Sequence, residues 1–248
     1  MEDGDAPRIT GAHRCIGQSF RPSALEFGRF RPTVLARRLP YRASHTVPPR
    51  FISRQLSRPT GTLARVMGWL MNRHNARMNA FAVDQLELSA PDRVLEIGFG
   101  GGVALRSLVG RASFVGGVDL SREMVEWAKA KYSTAVTAGR ADFREGSVEA
   151  IPFDAASFGK ALSVNTVYFW RSLDAAFTEI QRVLAPGGRV VVGFLPKEWM
   201  DRLGHPPDIF TARTPDQIVG ALTASGFMQV HIERPDPTTR WNVAVGTR

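Results

Sequence analysis

Residues 94–102 read Val-Leu-Glu-Ile-Gly-Phe-Gly-Gly-Gly, and the next apolar stretch closes on Asp119. A buried strand runs into a glycine-rich turn, a helix follows, and a second strand ends in a carboxylate. A doubly wound α/β sheet builds a nucleoside pocket in this order, at the carboxyl ends of its strands. The glycines remove side chains where backbone must approach a ligand. The acid accepts hydrogen bonds from ribose hydroxyls.

Two nucleoside ligands compete for such a pocket. A dinucleotide site asks for Gly-x-Gly-x-x-Gly. Gly98 and Gly100 satisfy the first two positions, but the third falls on Val103. Glu96 separates the readings further. A carboxylate two residues before the first glycine suits a cationic amino-acid tail, whereas an anionic pyrophosphate gains nothing from it. The segment Glu96-Ile97-Gly98-Phe99-Gly100 resembles motif I of the class I S-adenosylmethionine (SAM)-dependent methyltransferases. Residues 114–120, Phe-Val-Gly-Gly-Val-Asp-Leu, resemble the family's second strand with its ribose acid. Residues 146–158 resemble the stretch after its third strand, and residues 182–194 its helix, Pro-Gly-Gly turn and fifth strand. The resemblance implies a Rossmann-like seven-stranded sheet with a reversed last strand, SAM as cofactor and methyl transfer as the reaction. It assigns cofactor contacts to Glu96, Gly98, Gly100, Asp119, Leu120, Ser147, Val148 and Asn165. At 147 the family often carries an aspartate that accepts a bond from the adenine amine. A serine hydroxyl can also accept one.

Composition narrows the class. The chain has 248 residues, 44% of them hydrophobic, enough for one α/β domain and an extension. No apolar run reaches the length of a membrane span. The single cysteine, Cys15, permits no internal disulfide, and the five histidines show no metal-ligand spacing. No metal is expected, and a cytoplasmic location follows from the lack of a secretory pattern. The net charge of +9 is uneven. Residues 1–80 hold 14 Arg, no Lys and 4 acids, whereas residues 81–248 carry a net charge of −1. This asymmetry allows a phosphate-binding tail. The ordinary reading is an arginine-biased composition, with 28 Arg against 4 Lys.

Residues 1–50 mix Pro, Gly, Ser and Arg without periodicity and read as a mostly disordered basic tail. Residues 51–88 read as N-terminal cap helices. Leu63, Val66, Met67 and Leu70 share one face, and Met78, Phe81, Ala82, Gln85 and Leu86 another. Met71, Asn72 and Asn75 mark the joint between them. Residues 89–248 form the main domain. Strands are predicted near 93–98, 114–118, 141–145, 160–165, 188–194, 227–233 and 241–246. Helices are predicted near 101–110, 121–131, 172–184 and 214–225. Ser121 and Thr214-Pro215 read as helix starts, and Gly226 as a stop. Two closing strands without a long helix between them predict an antiparallel hairpin.

The fourth strand runs out into Asn165-Thr166-Val167-Tyr168-Phe169-Trp170. Its carboxyl end faces the pocket by the switch-point rule. Asn165 and Tyr168 echo the ends of the Asn-Pro-Pro-Tyr motif of DNA amino-methyltransferases, but Thr166 and Val167 replace both prolines. Asn165, Tyr168 and Trp170 therefore read as a general acceptor pocket. Residues 195–213 read as the loop that shapes it, with His205 as the candidate base. Asn165, Tyr168 and His205 are the candidate catalytic residues. The expected function is methyl transfer to a small-molecule acceptor. The alternatives are a nucleic-acid methyltransferase that uses the basic N-terminus, and a SAM-binding module without catalysis. An NAD-dependent oxidoreductase is disfavoured by Val103 and Glu96.

Overall fold

The computed structural model describes residues 75–248. The readings placed on residues 1–74, including Met71 and Asn72, lie outside the described residues. The described part begins with a helix, α1 (75–85), in which Met78, Ala82 and Val83 are buried, as is Leu86 just after it. It continues as β1 (Arg93–Ile97), α2 (Leu105–Arg111), β2 (Phe114–Asp119), α3 (Arg122–Lys131), α4 (Ser133–Thr137) and β3 (Ala141–Glu145). The second half is β4 (Phe158–Val164), a 3₁₀ turn (Val167–Phe169), α5 (Leu173–Val183), β5 (Leu184–Phe194), α6 (Lys197–Leu203), α7 (Pro215–Ala224), β6 (Met228–Glu233) and β7 (Asn242–Thr247).

The strands form one sheet in the order β3-β2-β1-β4-β5-β7-β6. β1 pairs in parallel with β2 and β4, and β4 with β5. β7 runs antiparallel to both β5 and β6. The predicted hairpin and reversed last strand are thus present. The order reverses between β1 and β4, and the two chain crossings leave the sheet there in opposite directions. That opens a crevice at the carboxyl ends of β1 and β4.

Both faces of the sheet are covered, so central strands are apolar on both sides. Successive side chains of β1 alternate between two cores. Leu95 and Ile97 join Phe177, Ile180, Ile218 and Leu222 beneath α5 and α7. Val94 joins Leu86, Leu105, Leu108, Met124 and Val125 beneath α1, α2 and α3. Ala82 and Val83 of α1, with Leu86 just after it, belong to this second core, so that face of the expected cap helix packs on the sheet. Two consecutive glycines in β2 make room for aromatics of β3 and β4. A Cβ at Gly116 would lie 2.6 Å from Phe158, and one at Gly117 2.6 Å from Phe143.

Helix starts follow the local chemistry. The Ser121 side chain accepts the Met124 N–H and Ser172 that of Ala175. Thr214 and Gln217 form a reciprocal capping box with Pro215 in the first turn. Three elements differ from the sequence expectation. The helix after the glycine turn begins at Leu105 rather than 101, because Gly100 and Gly102 have φ of +45° and +67°. A short α4 follows α3. The expected loop 195–213 contains α6, which Gly204 ends in a left-handed conformation with φ of +65°.

Candidate functional site

The crevice is built first from backbone. The Gly98 N–H donates to Val118 O at 2.7 Å, extending the β1–β2 ladder into the turn. Gly98 holds φ of +68°, and a side chain there would strike the Thr166 methyl group. The turn from β1 therefore lies directly against the residue that follows Asn165 at the end of β4. Gly100 has open space where a Cβ would stand. Its N–H donates to Asp119 Oδ2 at 2.8 Å, and the Ser121 N–H donates to Asp119 Oδ1 at 2.9 Å. Asp119 thus ties the glycine turn to the start of α3. A carboxylate offers about four acceptor sites, so each oxygen keeps capacity for a ligand hydroxyl.

Glu96 is buried, and its Oε2 has no hydrogen-bond partner. Burial pushes its carboxyl up to about 8, and the neighbouring Asp119 charge adds to the shift. Burial also raises Asp119, opposed by the N–H donors of Ser121 and Gly100. Two acids so close in a desolvated crevice favour a cationic ligand. The fit to SAM follows from these observations. An orphaned carboxylate oxygen suits the ammonium end, the Asp119 oxygens suit a ribose, and Leu120, 45% exposed, offers an apolar surface beside them.

The remaining expected contacts lie on the turn after β3. Ser147 and Ala150 form an isolated bridge, Val148 is buried, and the Ser147 hydroxyl accepts the Glu149 N–H at 3.2 Å. That hydroxyl retains a donor and a second lone pair. Sequence reasoning assigned Glu149 no special role, yet its Oε1 accepts the N–H groups of Arg171 and Ser172 at 2.7 and 2.9 Å. Arg182 donates to Ile151 O and Phe153 O, and Glu179 accepts the Ile151 N–H. Helix α5 and its leading turn therefore hold the 147–153 segment in place. These contacts span 22 to 31 residues. No local spacing could have announced them.

At the end of β4, Asn165 adopts φ of +60°, a conformation asparagine tolerates better than most residues. Its N–H donates to Gly193 O at 2.8 Å. Tyr168 donates its phenol to Asn165 Oδ1 at 3.2 Å and accepts the Leu195 N–H. Tyr168 is buried, and burial pushes its phenol well above its ordinary value. The phenol is thus engaged on both sides and ties the Asn165 side chain to the start of the connection after β5. Tyr168→Phe should cost roughly 1–2 kcal/mol in denaturant unfolding, because it strands the Leu195 N–H and frees Asn165. Trp170 is also buried, edge-on to Phe177 at 5.4 Å. Its ring belongs to the core beneath α5.

His205 follows α6 and stacks on Phe210 at 4.3 Å with an interplanar angle of 17°. Phe210 in turn lies 4.7 Å from Phe169. Partial burial lowers the His205 pKa, which favours the neutral ring. The structure therefore packs the connection after α6 against the turn that follows β4, with His205 outermost of the three rings. Among the described residues, no cluster of His, Cys, Asp or Glu is placed to hold a metal. No helix among them is long and apolar enough to cross a membrane.

The sheet order and the acidic, glycine-lined crevice define a Rossmann-like methyltransferase fold. The family model of the methyltransferase domain matches residues 95–192. An uncharacterized methyltransferase of Bacillus subtilis, YdaC, is 27% identical over 173 residues, 68% of this chain and 89% of that protein. A ubiquinone/menaquinone biosynthesis C-methyltransferase of Geotalea daltonii is 35% identical over 136 residues, 52% of this chain and 55% of that protein. The chain thus spans about half the length of the second relative. Among solved structures, a SAM-dependent methyltransferase from Mesorhizobium loti superposes with a TM-score of 0.59 at 19% identity, covering 68% of this chain and 96% of that one. Residues 95–192 thus carry a methyltransferase domain, on the fold of the SAM-dependent methyltransferases.

Proposed function

We propose that this protein binds SAM in the β1–β2 crevice and directs its methyl group to a small-molecule acceptor above β4 and β5. The observation that carries the reading is the buried pair Glu96 and Asp119. One has an orphaned oxygen, and the other is locked to the glycine turn. Glu96 would hold the methionine end, and Asp119 the ribose. Leu120 would lie along the adenine, with Ser147 and Val148 at its edge. Relatives named as C- and O-methyltransferases support a small acceptor.

The cofactor supplies a methyl group already activated on a sulfonium. The protein's task is therefore mainly to align the partners and exclude water. Gly98 and Thr166 set the two strand ends in contact. Asn165, held by Tyr168, stands beside that contact and is the residue assigned to the reacting centre. His205 is neutral near pH 7 and would serve as the base if the acceptor must lose a proton.

Calorimetric titration of the full chain with S-adenosylhomocysteine tests the reading. Micromolar binding is expected, with none for NAD. Asp119→Ala should weaken binding by about 100-fold, since it removes both the ribose acceptor and the two backbone bonds. Equal affinity in the variant, or preference for NAD, would rule the assignment out.

A further inference from the structure

Most ion-paired arginines of the described sheet region have obvious partners. Arg182 meets Glu179, Arg144 meets Asp142, and Arg189 meets Glu87. Arg213 does not. Its guanidinium is half-buried, and among the described residues it faces no carboxylate. One nitrogen, Nη2, donates to Trp170 O at 3.2 Å, and Nε is buried without any partner. A guanidinium stays protonated in proteins, so withdrawing it from water without an anion is costly. Desolvation accordingly lowers its affinity for the proton.

Its location gives this orphan a use. Residues 204–213 fold over the turn that follows β4. The Thr211 N–H donates to Tyr168 O at 2.9 Å, Phe210 packs on Phe169, and Arg213 reaches Trp170 O. The Arg213 carbonyl accepts the Lys197 N–H at the start of α6. The same segment carries a second unsatisfied polar atom, since Nδ1 of His205 is also buried without a partner among the described residues. Two unpaired groups thus sit on one connection, beside the strand end that carries Asn165.

We propose that the methyl acceptor carries an oxyanion, a carboxylate or a phosphate, and that Arg213 is the residue that binds it. Planar guanidinium matches either group through paired N–H donors, and among the described residues Nε is a buried donor without a partner. His205 lies on the same segment and, when its Nδ1 carries the proton, can add a neutral donor. The proposal rests on the methyltransferase reading for its place in the reaction and on Arg213 alone for its charge preference.

The test uses the full-length protein, isotopically labelled and saturated with S-adenosylhomocysteine. Sodium benzoate and inorganic phosphate are the two probes. The Arg213 Nε–Hε resonance should shift on titration with one of them. Arg213→Gln should weaken that probe by about tenfold or more, with Arg213→Lys intermediate and homocysteine-product affinity unchanged in both. A response to benzoate alone identifies a carboxylate acceptor, and one to phosphate alone a phosphorylated acceptor. Either supports the proposal. An unmoved resonance with both probes, or full affinity in Arg213→Gln, overturns it. The resonance is read in the unsubstituted protein, so a misfolded variant leaves the result decisive. If the anion shifts Arg213 but S-adenosylhomocysteine does not bind, the anion site stands and the methyltransferase reading falls.

Discussion

Raising the pH from about 5 to about 8 is expected to destabilise the ligand-free protein by roughly 2–4 kcal/mol, and Glu96→Gln to remove most of that slope. The cause is the Glu96 carboxyl, pushed up to about 8 by burial and by Asp119. In the unfolded chain the same group loses its proton near its ordinary value of 4.5. Between those values the native state holds more protons than the unfolded state, so stability falls as pH rises. Its contribution is present in full below the unfolded value and is lost as pH climbs through the folded one. Asp119 is raised as well and acts in the same direction. His205 acts oppositely, because its lowered pKa costs stability below its ordinary range. Glu179 and Asp236 are lowered, and their effects lie in the acid limb. Comparing Glu96→Gln with the unsubstituted protein isolates the Glu96 part. The midpoint of thermal unfolding should differ by roughly 5–10 °C at the alkaline end and converge at the acid end. Parallel curves for the two proteins would show that Glu96 ionises freely. A cationic ligand tail beside Glu96 would reverse the cost. Binding of S-adenosylhomocysteine near pH 7 should then release protons, visible as a binding heat that changes with the buffer's ionisation enthalpy.

The same acid shows why part of the site was legible in the sequence. Glu96, Gly98, Gly100 and Asp119 are fixed by local rules: a strand, a tight turn, a helix start and a strand end. Each rule acts within a few residues, and the parallel pairing of β1 with β2 then brings the pieces together. The strands and the capped helices were readable for the same reason, since alternation and caps are local signals. What escaped depended on contacts between distant segments. The sequence sets Tyr168 between Val167 and Phe169 after the fourth strand, which does not tell a pocket wall from the core. Its burial comes from Phe210 and from the Leu195 backbone, which only the fold supplies. The partners of Glu149, Arg171 and Ser172, lie across a chain crossing and leave no local signal. Helix α6 was read as loop because it is one of the shortest helices and lies between prolines. Pro196 and Gly204 were the available start and stop signals.

The turn itself supplies the second large effect. Gly98→Ala should destabilise the protein by roughly 2–4 kcal/mol, while Gly100→Ala should cost about 1 kcal/mol. Both glycines have positive φ, so both substitutions carry the strain of a left-handed residue. Only Gly98 also faces an occupied volume, where the Thr166 methyl sits against it. Gly100 has nothing within 4 Å. The difference between the two variants therefore measures the close approach of β1 to β4 rather than backbone strain. Thr166→Ser removes the offending methyl and keeps the hydroxyl that bonds to Ser163. Combined with Gly98→Ala, it should recover about 1–2 kcal/mol relative to additivity. The measurement is a double-mutant cycle by denaturant unfolding, read beside S-adenosylhomocysteine affinity. If the double variant is strictly additive, Thr166 does not press on the turn. Recovery of stability without recovery of affinity would instead show that the turn's own conformation, and not the spacing between the strand ends, sets the pocket.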